Sequence, residues 1–385
     1  MNSATLTAND LTPAAAVTGG QHAPQHMPSL DGLRGVAILL VLLHHFVRSI
    51  NVEFSINQQF AHWTELGWTG VDLFFVLSGF LITGILYDAK NTPCYFRNFY
   101  ARRSLRIFPL YYTALAVVLL LGPLLEQLKL LGTSNLGWVS IYATNIVLSA
   151  KGMGAFGAVD HFWSLAVEEH FYLVWPAFVY FLDRKRLMIA AAAACVVAPC
   201  LRLVIHDGGA TLPVAAYILT PMRMDSLAAG AFIALFVRGP KGIEGLLRPA
   251  MWLAGASGAV FLGMVLFQKS KSALDPLLGT AGYSVLWLFF GSVLVLALTW
   301  EPLKRLMSLP ILRWFGKYSY GMYVWHPIIL LLVYHNDVAR RIRGGNDHLQ
   351  ALLSTATAIA AVLAITLLSW NLIEKQFLKM KARFA

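Results

Sequence analysis

Charge is scarce in this chain of 385 residues: 13% are Asp, Glu, Lys or Arg, 58% are hydrophobic, and the mean hydropathy is +0.63. Soluble globular domains carry about a quarter charged residues, so a water-soluble fold is excluded. Cysteine is nearly absent. Cys94 sits beside a basic loop and Cys195 and Cys200 lie in an apolar segment, a spacing that suits neither a metal site nor a disulfide framework. The first 28 residues hold no Lys, no Arg and no apolar run, which excludes a signal peptide and reads as a disordered polar tail. No internal repeat announces an inverted-repeat transporter.

What the sequence has instead is a succession of apolar runs of about 18 to 22 residues, each long enough to cross a bilayer. The expected fold is therefore all-α, a polytopic integral membrane bundle. Ten spans are read, at 32–50, 67–87, 107–125, 162–182, 187–206, 214–237, 250–268, 280–300, 318–334 and 351–373. The run 136–150 is too short to count and reads as re-entrant or interfacial. The organisation that follows is a tail over 1–28, one membrane domain over 29–375 and a basic tail over 376–385.

The formal net charge of +11 falls in short loops between apolar runs, a positive-inside pattern that argues against nucleic acid. Lys90, Arg97, Arg102, Arg103 and Arg106 crowd the connection before the third span and make it cytoplasmic, which also places both termini in the cytoplasm. On this layout Arg340, Arg341 and Arg343 fall in an external loop.

Ionisable groups inside lipid are costly, so each is a candidate for function, with an interhelical hydrogen bond as the plain alternative. In LDGLRGVAILLVLLHHF, residues 30–46, Arg34 and His45 are eleven positions apart. That is three helical turns plus about 20°, which puts both on one face roughly 16 Å apart, a cation at one boundary and an imidazole deep inside. His45 reads as a general base or a buried structural His; His44 points about 100° away and reads as packing. Glu168 lies at a similar depth, with Ser164 and Tyr172 on its face, and can hold the imidazole; adjacent Glu169 faces elsewhere. Arg34, Arg103 and Arg106 form either a funnel for an anionic ligand or an ordinary cationic anchor. Arg223 and Asp225 lie within a span and need partners, Asp72 among them, and are read equally as ion pairing and as site lining. His326 sits near mid-membrane beside Pro327, which frees a backbone carbonyl. Ser78 and Trp163 complete the candidate lining, and no metal is implied.

Taken in order, these segments resemble acyltransferase family 3, membrane acyltransferases that modify sugars and other acceptors in bacterial envelopes. The likeness covers about 29–375 and is carried by LDGLRG at 30–35, the Arg34/His45 pair, GVDLFFVLSGFLIT at 70–83, Arg103 to Arg106 in ARRSLRIFPLYY, FWSLAVEEHFYLVWP at 162–176, RMDSLAAGA at 223–231 and YSYGMYVWHP at 318–327. His170 stands where the common pattern has Gln. The resemblance implies a cytoplasmic acyl-CoA donor, usually acetyl-CoA, with Arg34, Arg103 and Arg106 as donor-side groups and His45 as the catalytic one. The acceptor it implies is a carbohydrate hydroxyl, free or on a lipid-linked glycan, at the outer side of the bacterial inner membrane. The extracytoplasmic hydrolase-like domain that often follows in the family is not expected within these residues. A proton-coupled transporter or flippase of a polysaccharide precursor is the competing class, and oligomeric state is not legible.

Overall fold

The computed structural model describes residues 27–49, 63–125, 135–206, 212–268, 271–335 and 347–384. Most of the expected polar tail, and the loop bearing Arg340, Arg341 and Arg343, lie outside these residues. Among the described residues ten long helices follow one another: α1 Pro28–Ser49, α2 Gly70–Asp88, α3 Tyr95–Leu121, α4 Phe162–Phe181, α5 Arg184–His206, α6 Thr220–Val237, α7 Leu247–Gln268, α8 Tyr283–Thr299, α9 Pro310–His335 and α10 Asp347–Ser369. Among the described residues there is no strand, as the apolar composition demands, because a lipid-embedded helix satisfies its own backbone.

Eight helical stretches among the described residues are long and apolar enough to cross a membrane, against the ten spans expected. The two that fall short, α4 and α9, are the two that carry Glu168, Glu169 and His170, and Lys317 and His326. The run at 136–150 breaks into Leu136–Ser140 and Thr144–Lys151, interrupted near Tyr142 (φ 59°), and neither piece is long enough to span. The third helix corrects the sequence reading in one respect. It begins at Tyr95 rather than 107, so Arg97, Arg102, Arg103 and Arg106 ride on a helix instead of in a connection. Arginine is a good helix former, and these side chains reach an open cavity, so nothing forces the chain to unwind around them.

Close helix crossings explain several motif glycines. A Cβ at Gly35 of α1 would lie 2.0 Å from the carbonyl oxygen of Leu312, and one at Gly316 of α9 would lie 1.8 Å from that of Asp31. The α2–α6 crossing is built the same way, with Gly79 against the Leu227 carbonyl and Gly230 against that of Val76. Small residues let backbones approach where lipid supplies no hydrophobic drive between helices.

That second crossing is tied by buried charge. Asp72 of α2 meets Arg223 of α6 at 2.5 Å, and Asp225 of α6 meets Arg202 of α5 at 2.8 Å, all four side chains being inaccessible. Arg202 also donates to Ser284 and to the carbonyls of Thr280 and Met222, and Arg223 stacks 3.9 Å above Tyr283. One end of the bundle gathers the basic turns: Lys90 donates to the Leu182 carbonyl at 2.6 Å, and Arg238 pairs with Asp88 at 2.6 Å. In the turn entering α4, backbone N–H groups of Phe156 and Gly154 bind Asp160, opposing the burial that pushes its carboxyl up.

Candidate active site

A cavity of about 1040 Å³, the upper end of the range for small-molecule sites, opens among α2, α3, α4 and α9. Its mouth is the turn at Thr92, Pro93 and Cys94 together with the first turns of α3. Arg103 and Arg106, three positions apart, share a helix face and reach it together, joined by Arg34 from α1. Arg34 and Arg103 both repel Arg106, while Glu168 is attracted to all three. The Arg103 guanidinium lies 4.9 Å over the ring of Tyr172, and Arg34 reaches Ser319 at 3.5 Å. Deeper in, the Tyr172 hydroxyl donates to Ser78 at 3.2 Å and Ser78 donates to Glu168. The cavity ends at Ser164 and Tyr323, whose hydroxyls are joined at 2.5 Å.

Beyond Tyr323 lie the imidazoles of His45, His326 and His161, with that of His44 edge-on to His45 at 4.9 Å. The Nδ1–H of His45 donates to the carbonyl of Val41 at 2.8 Å, one helical turn back, a tautomer that puts the ring's lone pair on Nε2. His326 packs against it edge-on at 4.8 Å between ring centroids, and His161, just before α4, stands 5.6 Å from His326. Pro327 has no N–H for the carbonyl four residues back, and His326 Nδ1–H fills that role, donating to Tyr323 at 2.8 Å as well as to Met322 at 3.0 Å. The His326 Nε2 is buried without a hydrogen-bond partner among the described residues. His161 Nε2–H donates to the Val324 carbonyl at 3.2 Å. The Tyr323 ring, 5.7 Å from His326 and 5.5 Å from His161, thus stands as a partition between cavity and histidines. Among the described residues no group of three His, Cys, Asp or Glu has the arrangement of a metal site.

The structure brings Arg34, Arg103, Arg106, Ser78, Ser164, Glu168, Glu169 and Tyr172 onto one cavity and sets His45 and His326 together just behind its inner wall. Four expected lining residues sit elsewhere. Asp72, Arg223 and Asp225 are consumed by the buried ion pairs, and Trp163 packs between Phe75 and Tyr217. Glu168 does not hold the imidazole either: its hydrogen bond comes from Ser78, and the His45 Nδ1 is occupied by the backbone. Sequence reasoning passes over Arg202, though an arginine inside an apolar span is its own signal. It also passes over His161, which immediately precedes a recognisable motif, and Tyr323, which lies within one; neither carries a periodic mark.

Residues 27–373 match a family model described as an acyltransferase domain. The chain is 30% identical over 331 residues to the peptidoglycan O-acetyltransferase OatA of Listeria monocytogenes, covering 81% of this chain and 50% of that protein. It is 31% identical over 339 residues to the putative peptidoglycan O-acetyltransferase YrhL of Bacillus subtilis (80% and 50%), and 26% identical over 335 residues to the O-acetyltransferase OatA of Staphylococcus aureus (81% and 52%). It therefore spans about half the length of these relatives. No solved structure matches. With nearly its whole described bundle inside the matched region, this chain belongs to acyltransferase family 3.

Proposed function

We propose that this chain is a membrane O-acyltransferase that moves an acyl group, acetyl in the first instance, from cytoplasmic acyl-CoA to a hydroxyl of a cell-envelope carbohydrate, with His45 as general base. The observation that carries this reading is the cavity with cations at its mouth and an imidazole cluster behind its inner wall. The peptidoglycan O-acetyltransferases it resembles point to a glycan acceptor, whether polymer or lipid-linked precursor. The gathering of basic turns at the mouth end supports placing that end at the cytoplasmic face of the inner membrane, both termini on the same side.

Each group then has a task. Arg34, Arg103 and Arg106 hold the donor's phosphates, whose charge they match in pairs or forks. Tyr172, Ser78 and Glu168 orient the arm that runs inward, and displacement of Tyr323 joins the cavity to the histidines. The His45 Nε2 takes the proton of the acceptor hydroxyl as its oxygen attacks the thioester carbonyl, then returns it to the departing sulfur when the carbon–sulfur bond breaks, giving ester and free thiol. His326, held by its two backbone carbonyls, fixes the position of His45.

The test supplies membranes containing the protein with acetyl-labelled acetyl-CoA and an envelope glycan fraction. Label appearing as alkali-labile ester on glycan supports the reading; movement of glycan precursor across the bilayer without ester formation overturns it in favour of a transporter.

A further inference from the structure

After α10 the chain passes through a wide turn, Trp370–Glu374, into the short helix Lys375–Lys379 and the turn Met380–Phe384. Residues 374–384 lie beyond the region matched to the family model, and their basic composition alone reads as a solvent-facing tail. The segment is not one. It packs along α3 and puts Lys381, Ala382 and Phe384 on the cavity wall.

The placement of Lys381 is electrostatically costly. Its ammonium is repelled by Arg106, Arg103, Arg102 and Arg34, and Arg106 in turn by Arg34 and Arg103. The carboxylates that face this cluster are Asp31, which attracts Arg34, Glu168, already bonded to Ser78, and Glu169 and Glu374. Among the described residues none of the five cations forms an ion pair with the three glutamates, and the Nε of Arg102 is buried without a partner. Like charges in this excess around an open cavity are stabilised further by an anion entering it, and one of high charge density suits a compact ammonium beside guanidinium forks.

We propose that Lys381 is a phosphate ligand of the acyl donor, and that the 375–384 segment forms one wall of the site for a nucleotide-bearing thioester. The inference rests on the acyl-CoA reading above and adds a donor-specificity residue to it. Lys381 binds the phosphorylated end and leaves the reacting thioester to other groups, so its loss weakens donor binding and spares turnover at saturation.

The test compares wild type, Lys381→Gln and Lys381→Arg in the full chain, with acetyl-CoA and with acetyl-pantetheine, which has the same thioester and no phosphate. Lys381→Gln is expected to raise the KM for acetyl-CoA about tenfold with kcat little changed, to leave acetyl-pantetheine kinetics unaltered, and Lys381→Arg to restore the wild-type KM. An unchanged KM, or an equal rise for both donors, overturns the proposal. In parallel, adenosine 3′,5′-bisphosphate is titrated onto the purified proteins: binding that Lys381→Gln weakens about tenfold supports it, and absent or equal binding overturns it. Lysine-dependent nucleotide binding by a wild-type protein that transfers no acetyl group would sink the acyltransferase reading while leaving the anion site standing.

Discussion

Two sets of arginines lie within the same bundle and are treated in opposite ways. Arg202 and Arg223 each meet a carboxylate and are sealed from solvent, so they tie α2, α5, α6 and α8 together. Arg34, Arg103 and Arg106 face a cavity, lean on one another's repulsion and form no ion pair among the described residues. The first set is neutralised by the protein and stabilises it. On the function proposed above, the second is left for a ligand to neutralise, and the stability it forfeits is recovered when that ligand binds. Charge inside a membrane is thus evidence of function only after its partner has been found.

Substitutions can break this contrast, beginning with the sealed set. Arg202→Met strands Asp225 in an apolar interior, at a cost of about 3–5 kcal/mol, and should abolish the yield of monodisperse protein. Adding Asp225→Leu should recover folded protein, and failure to recover it would mean that the pair does more than hold helices. His45→Ala should cut acyl transfer by about 100-fold or more in an assay of glycan ester while leaving the melting temperature in place. Gly79→Ala inserts a methyl 1.8 Å from the Leu227 carbonyl and prises α2 from α6, a loss of about 1–3 kcal/mol visible in thermal unfolding. Arg106→Ala should do the reverse of Arg202→Met. It should raise the donor KM about tenfold without lowering the melting temperature, since it relieves repulsion; a protein that unfolds instead would place Arg106 with the structural set.

How much of this was legible varies with the kind of interaction. The helical bundle and the alignment of Arg34 with His45 follow from run length and from the 3.6-residue period. Asp72 was named as a partner of Arg223 because a lone intramembrane charge demands one. Periodicity gives only the direction in which a side chain leaves its own helix, so it could not show that Glu168 bonds Ser78 rather than His45, or that His161 joins His326. It also could not show whether a basic helix start faces solvent or a cavity, which is why Arg97 to Arg106 read as a loop.

By itself the sequence determined that the chain lives in lipid, that its backbone is helical and which residues would have to answer for their charge, because transfer free energies and helical periodicity are local properties. Only the tertiary structure decided which charges are mutually satisfied and which are held open. That choice depends on helix crossings set by glycines distant in sequence and on a Tyr323 carbonyl that Pro327 leaves without an N–H and His326 takes up. It also depends on a segment past α10 that returns to the cavity mouth.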